Sequence, residues 1–168
     1  MPGAGGVQGG VGREKMTERT LIIIKPDAIQ RHLAGRIISR FEQKGFKLVA
    51  AKFIRVSEEQ ARRLYAVHAG KPFFEALVAY LCSAPVLATV WQSQGVIAMA
   101  RKLIGATFGY EAQAGTIRGD YCSSRGYNLV HGSDSVESAE REIEILFRSE
   151  EIIDYELADQ RWLYGRND

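Results

Sequence analysis

The residues that could do chemistry centre on His131, within residues 128–135, whose sequence is NLVHGSDS. A short apolar run ends at this histidine, a turn follows, and apolar residues then recur at helical spacing. Asp134, with Glu137 three residues later, predicts a helix N-cap with its capping-box partner. A histidine there would lie beside the positive end of a helix, which suits a bound phosphate. This local pattern leaves open the alternative of a histidine that only forms a structural hydrogen bond.

Three basic side chains could complement a phosphate at that corner. Lys25 follows the continuous apolar run of residues 21–24 and precedes Pro26, so we expect it at the end of a buried strand. Arg101 and Arg118 carry planar guanidinium groups that match phosphate oxygens. For each of the three, a solvated surface position is the ordinary alternative.

The composition indicates one globular domain. The chain has 168 residues, of which 46% are hydrophobic and 25% charged, and a net charge of +2 that does not argue for nucleic acid. Cys82 and Cys122 match no metal-ligand spacing, so we expect reduced thiols and a cytoplasmic location. No apolar run is long enough to span a bilayer, and a signal peptide is not expected in residues 1–15.

The elements that must position these side chains follow from the pattern of apolar residues. We predict strands at residues 21–24, 46–56 and 86–91 and a fourth ending at His131, a helix at residues 96–104, and a long loop at residues 105–119. The order β-α-β, two short helices, β-α-β predicts an α+β sandwich of the ferredoxin-like βαββαβ type, with an antiparallel sheet and helices on one face. Glycine-rich residues 1–15 are expected to form a disordered tail, and residues 16–168 the single domain.

The stretch Asn128-x-x-His131-Gly-Ser-Asp-Ser resembles the active-site motif of the nucleoside diphosphate kinases. Further similarity lies in Lys25-Pro26-Asp27, in residues 115–120 with the sequence GTIRGD, and in a C-terminal Trp-Leu-Tyr at residues 162–164. The resemblance extends from about residue 17 to residue 164. It implies the same ferredoxin-like fold.

The resemblance implies an enzyme that transfers the terminal phosphate of a nucleoside triphosphate, typically ATP, to nucleoside diphosphates. The phosphate would pass through a pros-phosphohistidine on His131 in two displacements with ping-pong kinetics, because a neutral imidazole can attack without a separate base. Such enzymes maintain the pools of NTPs and dNTPs. Mg²⁺ would arrive with the nucleotide phosphates and needs no protein metal site.

The same resemblance assigns the site residues. Glu142 and Ser133 are expected to orient the imidazole, and Tyr65 to lie beside it. Nucleotide binding is expected from Lys25 and Asn128 at the ribose, from Arg101, Arg118 and Thr107 at the phosphates, and from Phe73 and Leu77 at the base. Because the base would meet an aromatic face and no dedicated hydrogen-bonding cage, we predict broad base specificity.

A few positions depart from the family pattern. Ala28 and His32 stand where glycine is usual, and Arg125 occupies a position near the base that is often aliphatic. Arg125 would either stack on the base or point away. Family members form homohexamers or, in some bacteria, homotetramers, and the long C-terminal segment favours the hexamer.

Two other functions compete with the kinase. A catalytically silent relative could sense nucleotides or act as a scaffold, although every residue that the chemistry requires is present. A ferredoxin-like module could bind single-stranded nucleic acid, but the basic-glycine-aromatic run of RNA-recognition strands is missing. The sequence therefore favours nucleotide substrates, with no membrane partner and no specific nucleic acid.

Overall fold

A computed structural model describes residues 17–165 of the chain; the predicted tail at residues 1–15 lies outside the described residues. The described part forms four strands and seven α-helices, with short 3₁₀ turns between them. In chain order these are β1 (Thr17–Ile24), α1 (Pro26–Gln30), α2 (Ala34–Gln43), β2 (Lys47–Ile54), α3 (Glu58–Leu64), α4 (Phe74–Cys82), β3 (Val86–Gln94), α5 (Val96–Ile104), α6 (Ile117–Tyr121), β4 (Val130–Gly132) and α7 (Val136–Leu146).

The four strands form one antiparallel sheet in the order β2-β3-β1-β4. The predicted ferredoxin-like α+β fold is therefore confirmed. Strand β1 lies between β3 and β4, and its last five residues are all buried. Ile23 pairs with His131 across β1 and β4, so the histidine backbone is anchored to a central strand.

Helices cover both faces of the sheet, and the prediction of helices on one face was wrong. Leu21 and Ile23 of β1 belong to one buried apolar cluster, which includes residues of α3, α4 and α7. Ile22 and Ile24 belong to a second cluster, which includes residues of α2 and α5. Because successive side chains of a strand point to opposite faces, the continuous apolar run of β1 serves both clusters.

Some predicted boundaries shift in the structure. The N-cap of α7 is Ser135 and not Asp134: the Ser135 hydroxyl accepts a hydrogen bond from the backbone N–H of Ser138. The predicted loop at residues 105–119 contains a 3₁₀ turn, Gly109–Glu111, and overlaps α6, whose first turn carries Arg118. Residue 116 caps α6 with its threonine hydroxyl, a local signal that the interpretation as a loop missed.

The two positions where glycine is usual in the family behave differently. Ala28 lies in the right-handed helix α1 and is completely buried, so its methyl group is accommodated. His32 follows that helix with φ +57°, in the left-handed region that glycine adopts more easily. Its side chain is exposed, as expected from the sequence.

Candidate active site

The imidazole of His131 lies on β4, close to the surface, with 17% of its side chain exposed. Its Nε2 atom is 2.8 Å from Oε2 of Glu142, which α7 presents from its second turn. An ionised carboxylate only accepts hydrogen bonds, so Nε2 carries the hydrogen and donates a hydrogen bond to Glu142. The lone pair of the neutral ring is then on Nδ1, which is the atom available as a nucleophile.

Glu142 is held by a second donor that reaches back to the sheet. The same oxygen, Oε2, accepts from the hydroxyl of Ser133 at 2.8 Å, and that hydroxyl accepts from the backbone N–H of Leu21 at 3.2 Å. Burial by itself would raise the pKa of Glu142, but the hydrogen bonds from His131 and Ser133 lower it below its usual value. The carboxylate is therefore ionised at neutral pH and fixes the imidazole with respect to strand β1.

Lys25 lies just beyond the end of β1, with 4% of its surface exposed. Its Nζ atom donates to Oδ1 of Asn128 at 2.8 Å and lies 5.9 Å from the ring centroid of Tyr65 and 5.4 Å from that of Tyr80. Burial, and then repulsion by Arg118, lower the pKa of Lys25 to about 7. The ammonium group is poorly solvated, so an additional polar partner would stabilise its charged form.

Asn128 joins this lysine to the loop that follows α5. While its Oδ1 accepts from Lys25, its Nδ2 donates to the backbone carbonyl of Thr107 at 3.1 Å. Thr107 is itself exposed, so its hydroxyl group belongs to the accessible surface beside Asn128. The structure therefore brings together three residues that are far apart in the sequence.

The two arginines differ in their surroundings. Arg118 is buried, and its guanidinium donates to the backbone carbonyls of residues 105, 106, 128 and 130 at 2.7–3.3 Å. Burial, and then the charge of Arg101, lower the pKa of Arg118 to about 10. Arg101 is exposed, and its Nη1 is 3.4 Å from the carbonyl oxygen of Gly132, the residue after His131. Arg101 thus presents an accessible charge, whereas Arg118 also organises the backbone around the site.

A row of rings leads from the histidine to the surface. The Tyr65 ring meets His131 edge-on at a centroid distance of 6.0 Å, and His68 lies between Tyr65 and Phe73. Phe73 is 51% exposed, which leaves its ring accessible, while Leu77 packs against the first apolar cluster.

The Tyr65 hydroxyl is buried and, among the residues that the structure describes, has no hydrogen-bond partner. Burial raises the pKa of Tyr65, so this hydroxyl is protonated at neutral pH.

Comparison with known proteins identifies the kind of site that this geometry forms. Residues 18–152 match the family model described as nucleoside diphosphate kinase, which covers most of the chain. The chain belongs to the nucleoside diphosphate kinase family. It is 53% identical over 147 residues to the nucleoside diphosphate kinase of Crocosphaera subtropica, covering 88% of this chain and 99% of that relative. It is 52% identical over 147 residues to mouse nucleoside diphosphate kinase B, covering 88% and 97%.

Solved structures of the same family agree. The halophilic nucleoside diphosphate kinase from Halobacterium salinarum, in complex with CDP, superposes with a TM-score of 0.87 at 44% identity, covering 89% of this chain and all of that one. A transition-state mimic of the nucleoside-diphosphate kinase from Borrelia burgdorferi, with bound vanadate and ADP, gives a TM-score of 0.81 at 35% identity, covering 85% and 94%. The predictions of the nucleoside diphosphate kinase family, of a phosphotransferase enzyme and of its activity are confirmed.

Sequence reasoning missed two residues in this nucleoside diphosphate kinase site. Asp27 accepts a hydrogen bond from the Tyr80 hydroxyl with one oxygen and from the backbone N–H of Leu129 with the other, at 3.1 Å. The position of Asp27 in the Lys25-Pro-Asp motif could have indicated a role. Tyr80 offered no such signal, because no motif in the sequence sets it apart from the other aromatic residue of α4, Phe74.

The structure also shows the surroundings of Arg125, one of the positions that depart from the family pattern. Arg125 is exposed, and its guanidinium lies 5.1 Å from the ring centroid of Tyr110. Within residues 17–165, no set of three or more His, Cys, Asp or Glu side chains is arranged to hold a metal ion. No helix in the same range has the length and apolar character needed to cross a membrane.

Proposed function

We propose that His131 carries the phosphate in this enzyme and that the transfer takes place in two displacements. Nδ1 attacks the terminal phosphorus of a nucleoside triphosphate, and the bond to the bridging oxygen breaks as the diphosphate leaves. A terminal phosphate oxygen of a second nucleoside diphosphate then attacks the same phosphorus, and the N–P bond breaks. The observation that carries the proposal is the 2.8 Å contact between Nε2 and Glu142, because it leaves Nδ1 with the lone pair.

The surrounding cations would neutralise the phosphate oxygens during both steps. Arg101 is accessible beside Gly132, and the buried charge of Arg118 lies behind the same backbone. We assign these two arginines and the exposed Thr107 to the phosphates, since charge-assisted hydrogen bonds are strongest in such a partly dry site. Lys25 and Asn128, already bonded to each other, are assigned to the ribose hydroxyls.

The base would lie against the exposed ring of Phe73, with Leu77 beneath it. An aromatic face stacks on any base and contributes about 1–3 kcal/mol without reading its edges, which supports broad base specificity. Arg125 is held over Tyr110, so stacking of its guanidinium on the base stays a prediction.

We further infer that Mg²⁺ enters with the nucleotide. The residues around His131 are mostly cationic or neutral donors, which suit phosphate oxygens, and those oxygens would in turn bind the ion. When bound, Mg²⁺ supplies additional neutralisation of phosphate charge.

Four further assignments accompany the function. We propose that residues 16–168 form the catalytic domain, and that the enzyme assembles as a homohexamer, with a homotetramer as the alternative. A reducing, cytoplasmic environment is supported by Cys82 and Cys122, which are both free thiols. CDP and ADP, the nucleotides bound in the related structures, are consistent with nucleoside diphosphates as substrates here.

The decisive experiment is incubation of the protein with ATP labelled in its γ-phosphate. We expect an acid-labile, base-stable label on the wild-type protein and none on His131→Ala, together with a loss of NDP phosphorylation of at least about 10³-fold. His32→Asn is the matched control, because His32 is exposed and asparagine also tolerates a positive φ. Full activity of folded His131→Ala would overturn the proposal.

A further inference from the structure

One strained residue lies two positions before the histidine. Leu129 has φ +66° and is completely buried, although leucine rarely adopts this left-handed conformation. The backbone N–H of Val130 donates to the carbonyl of Asn128 at 2.7 Å, which closes a three-residue γ-turn around Leu129. A γ-turn with a positive φ at its centre is rare and must be held by its surroundings.

The end of β1 holds both polar groups of this residue. The carbonyl of Leu129 accepts from the backbone N–H of Lys25 at 2.8 Å, and its N–H donates to Oδ2 of Asp27 at 3.1 Å. The carbonyls on either side, at residues 128 and 130, accept from Arg118. The only side-chain acceptor in this set is Asp27, and a buried N–H without an acceptor is costly.

Tyr80 fixes the direction of the Asp27 carboxylate. Its hydroxyl donates to Oδ1, the oxygen that does not contact Leu129, so the two bonds use different ends of the carboxylate. The same ring flanks the Lys25 ammonium group, and the ring of Tyr127 packs against it at 4.9 Å. Tyr80 therefore connects α4 to the turn through one carboxylate.

We propose that Asp27, oriented by Tyr80, is a positioning residue for phosphoryl transfer. Asp27 keeps Leu129 in the left-handed conformation. The resulting γ-turn places Asn128 within hydrogen-bonding distance of Lys25 and places His131 opposite Ile23 in the sheet. This inference rests on the proposed function, since it concerns the rate at which His131 is phosphorylated. Displacement of a reacting group by about 1 Å can slow a reaction by roughly 100-fold.

The test separates the rate of labelling from its final extent. Wild type, Asp27→Asn, Asp27→Ala and Tyr80→Phe are mixed with γ-labelled ATP, and phosphohistidine is followed by rapid quenching. We expect labelling slower by about 10-fold for Asp27→Asn and Tyr80→Phe, and by about 100-fold for Asp27→Ala, with the final stoichiometry unchanged. An asparagine can accept only one of the two hydrogen bonds, whereas alanine accepts neither.

Two comparisons sharpen the result. Tyr127→Phe is the matched loss of a neighbouring hydroxyl, and we expect it to label at the wild-type rate. The double variant Tyr80→Phe/Asp27→Asn should be slowed about as much as either single variant, because both substitutions disturb the same unit. Tyr80→Phe removes a single oxygen and keeps the test decisive even if the Asp27 variants do not fold.

Labelling rates within twofold of wild type in Asp27→Asn and Tyr80→Phe would overturn the proposal. A lower final stoichiometry with an unchanged rate would also overturn it, because it would indicate a role in folding only. If the wild-type protein itself formed no phosphohistidine, the proposed function would fail, and it would fail independently of any variant at Asp27 or Tyr80.

Discussion

At the scale of single residues, opposing electrostatic effects set the state of each charged group in the site. Burial would favour a protonated Glu142, but two hydrogen bonds at Oε2 reverse the direction of the pKa shift. Lys25 shows the opposite outcome, because its hydrogen-bond partner Asn128 is neutral and does not compensate for the lost hydration of the ammonium group. The histidine therefore has an ionised partner, whereas the lysine has a pKa near neutrality.

The lowered pKa of Lys25 predicts a pH-dependent stability. Its pKa is about 7 in the folded protein, as against an ordinary value of about 10.5, so the unfolded chain binds more protons between these two values. The penalty of burying the charge is fully present below pH 7 and is relieved as the pH rises towards 10.5. We expect the free energy of unfolding of wild type, relative to Lys25→Met, to increase by up to about 1.4 kcal/mol per pH unit in this range.

Urea unfolding at several pH values between 6 and 10 measures this difference, and groups that titrate in both proteins cancel. Lys102→Met, at an exposed lysine on α5, is the control, and it should show no such trend. A difference between wild type and Lys25→Met that does not change with pH would contradict the prediction.

At the scale of elements, the ends of helices and strands carry the site. Lys25 and Asp27 follow β1, His131 lies within the short β4, and Ser135 caps the helix that carries Glu142. Strand β4, the counterpart of the predicted strand ending at His131, begins only at Val130, since the left-handed Leu129 interrupts the extended backbone before it. A leucine in this conformation costs roughly 1–2 kcal/mol. Two hydrogen bonds offset this cost: the Lys25 N–H donates to the Leu129 carbonyl, and the Leu129 N–H donates to Asp27.

His32 offers a test of backbone strain outside the site. This residue lies just after the end of α1 with a φ of +57°, and its side chain is exposed. Glycine adopts this conformation without steric cost. The strain energy that is relieved exceeds the free-energy cost of the additional conformational entropy that glycine gives the unfolded chain. We expect His32→Gly to increase the free energy of unfolding by about 0.5–1 kcal/mol, measured as a higher urea midpoint.

The control for this substitution is Gly70→Ala, at another positive φ (+80°) with open space around the added methyl group. It should destabilise the protein by about 1 kcal/mol, because it introduces the strain that His32→Gly removes. A destabilised His32→Gly variant would show that its side chain makes a compensating contact.

At the scale of the whole molecule, the C-terminal segment that follows Arg148 covers an edge of the sheet. Strand β2 is the outer strand beyond β3, and Val49 in this strand accepts a hydrogen bond from the N–H of Ile153 at 2.8 Å. The Tyr155 hydroxyl donates to the carbonyl of Leu48, also at 2.8 Å, and Lys47 pairs with Asp154 at 3.1 Å. Edge strands without such cover pair readily with other chains.

Removal of this segment should therefore expose β2. For a chain that ends at Arg148 we expect a free energy of unfolding lower by about 1–3 kcal/mol and a rise in light scattering above that of the native assembly. A chain ending at Leu157 keeps the contacts of Ile153 and Tyr155 and should scatter like the full chain. Equal stability and scattering of all three chains would refute this role for the segment.

Local patterns in the sequence determined a large part of this molecule. The apolar run before Lys25 and the helical spacing after Ser135 predict elements that the structure contains, because each depends on neighbours within a few residues. The motif around His131 indicated the family, which the comparisons confirm. The largest boundary differences are in the strands: β1 begins at Thr17 and not at residue 21, and β3 ends at Gln94 and not at residue 91. These extra residues pair with each other across β1 and β3, a contact between distant segments that local propensity does not report.

Only the tertiary structure decided which side chains meet. Lys25 and Asn128 are 103 positions apart in the sequence, and Asp27 and Leu129 are 102 positions apart. No local pattern specifies such pairs. The buried state of Arg118 and the helices on both faces of the sheet also depend on packing between distant segments. The physical reason is that local propensities act over one or two turns, whereas burial and hydrogen bonding at the site act between parts of the chain that only folding brings together.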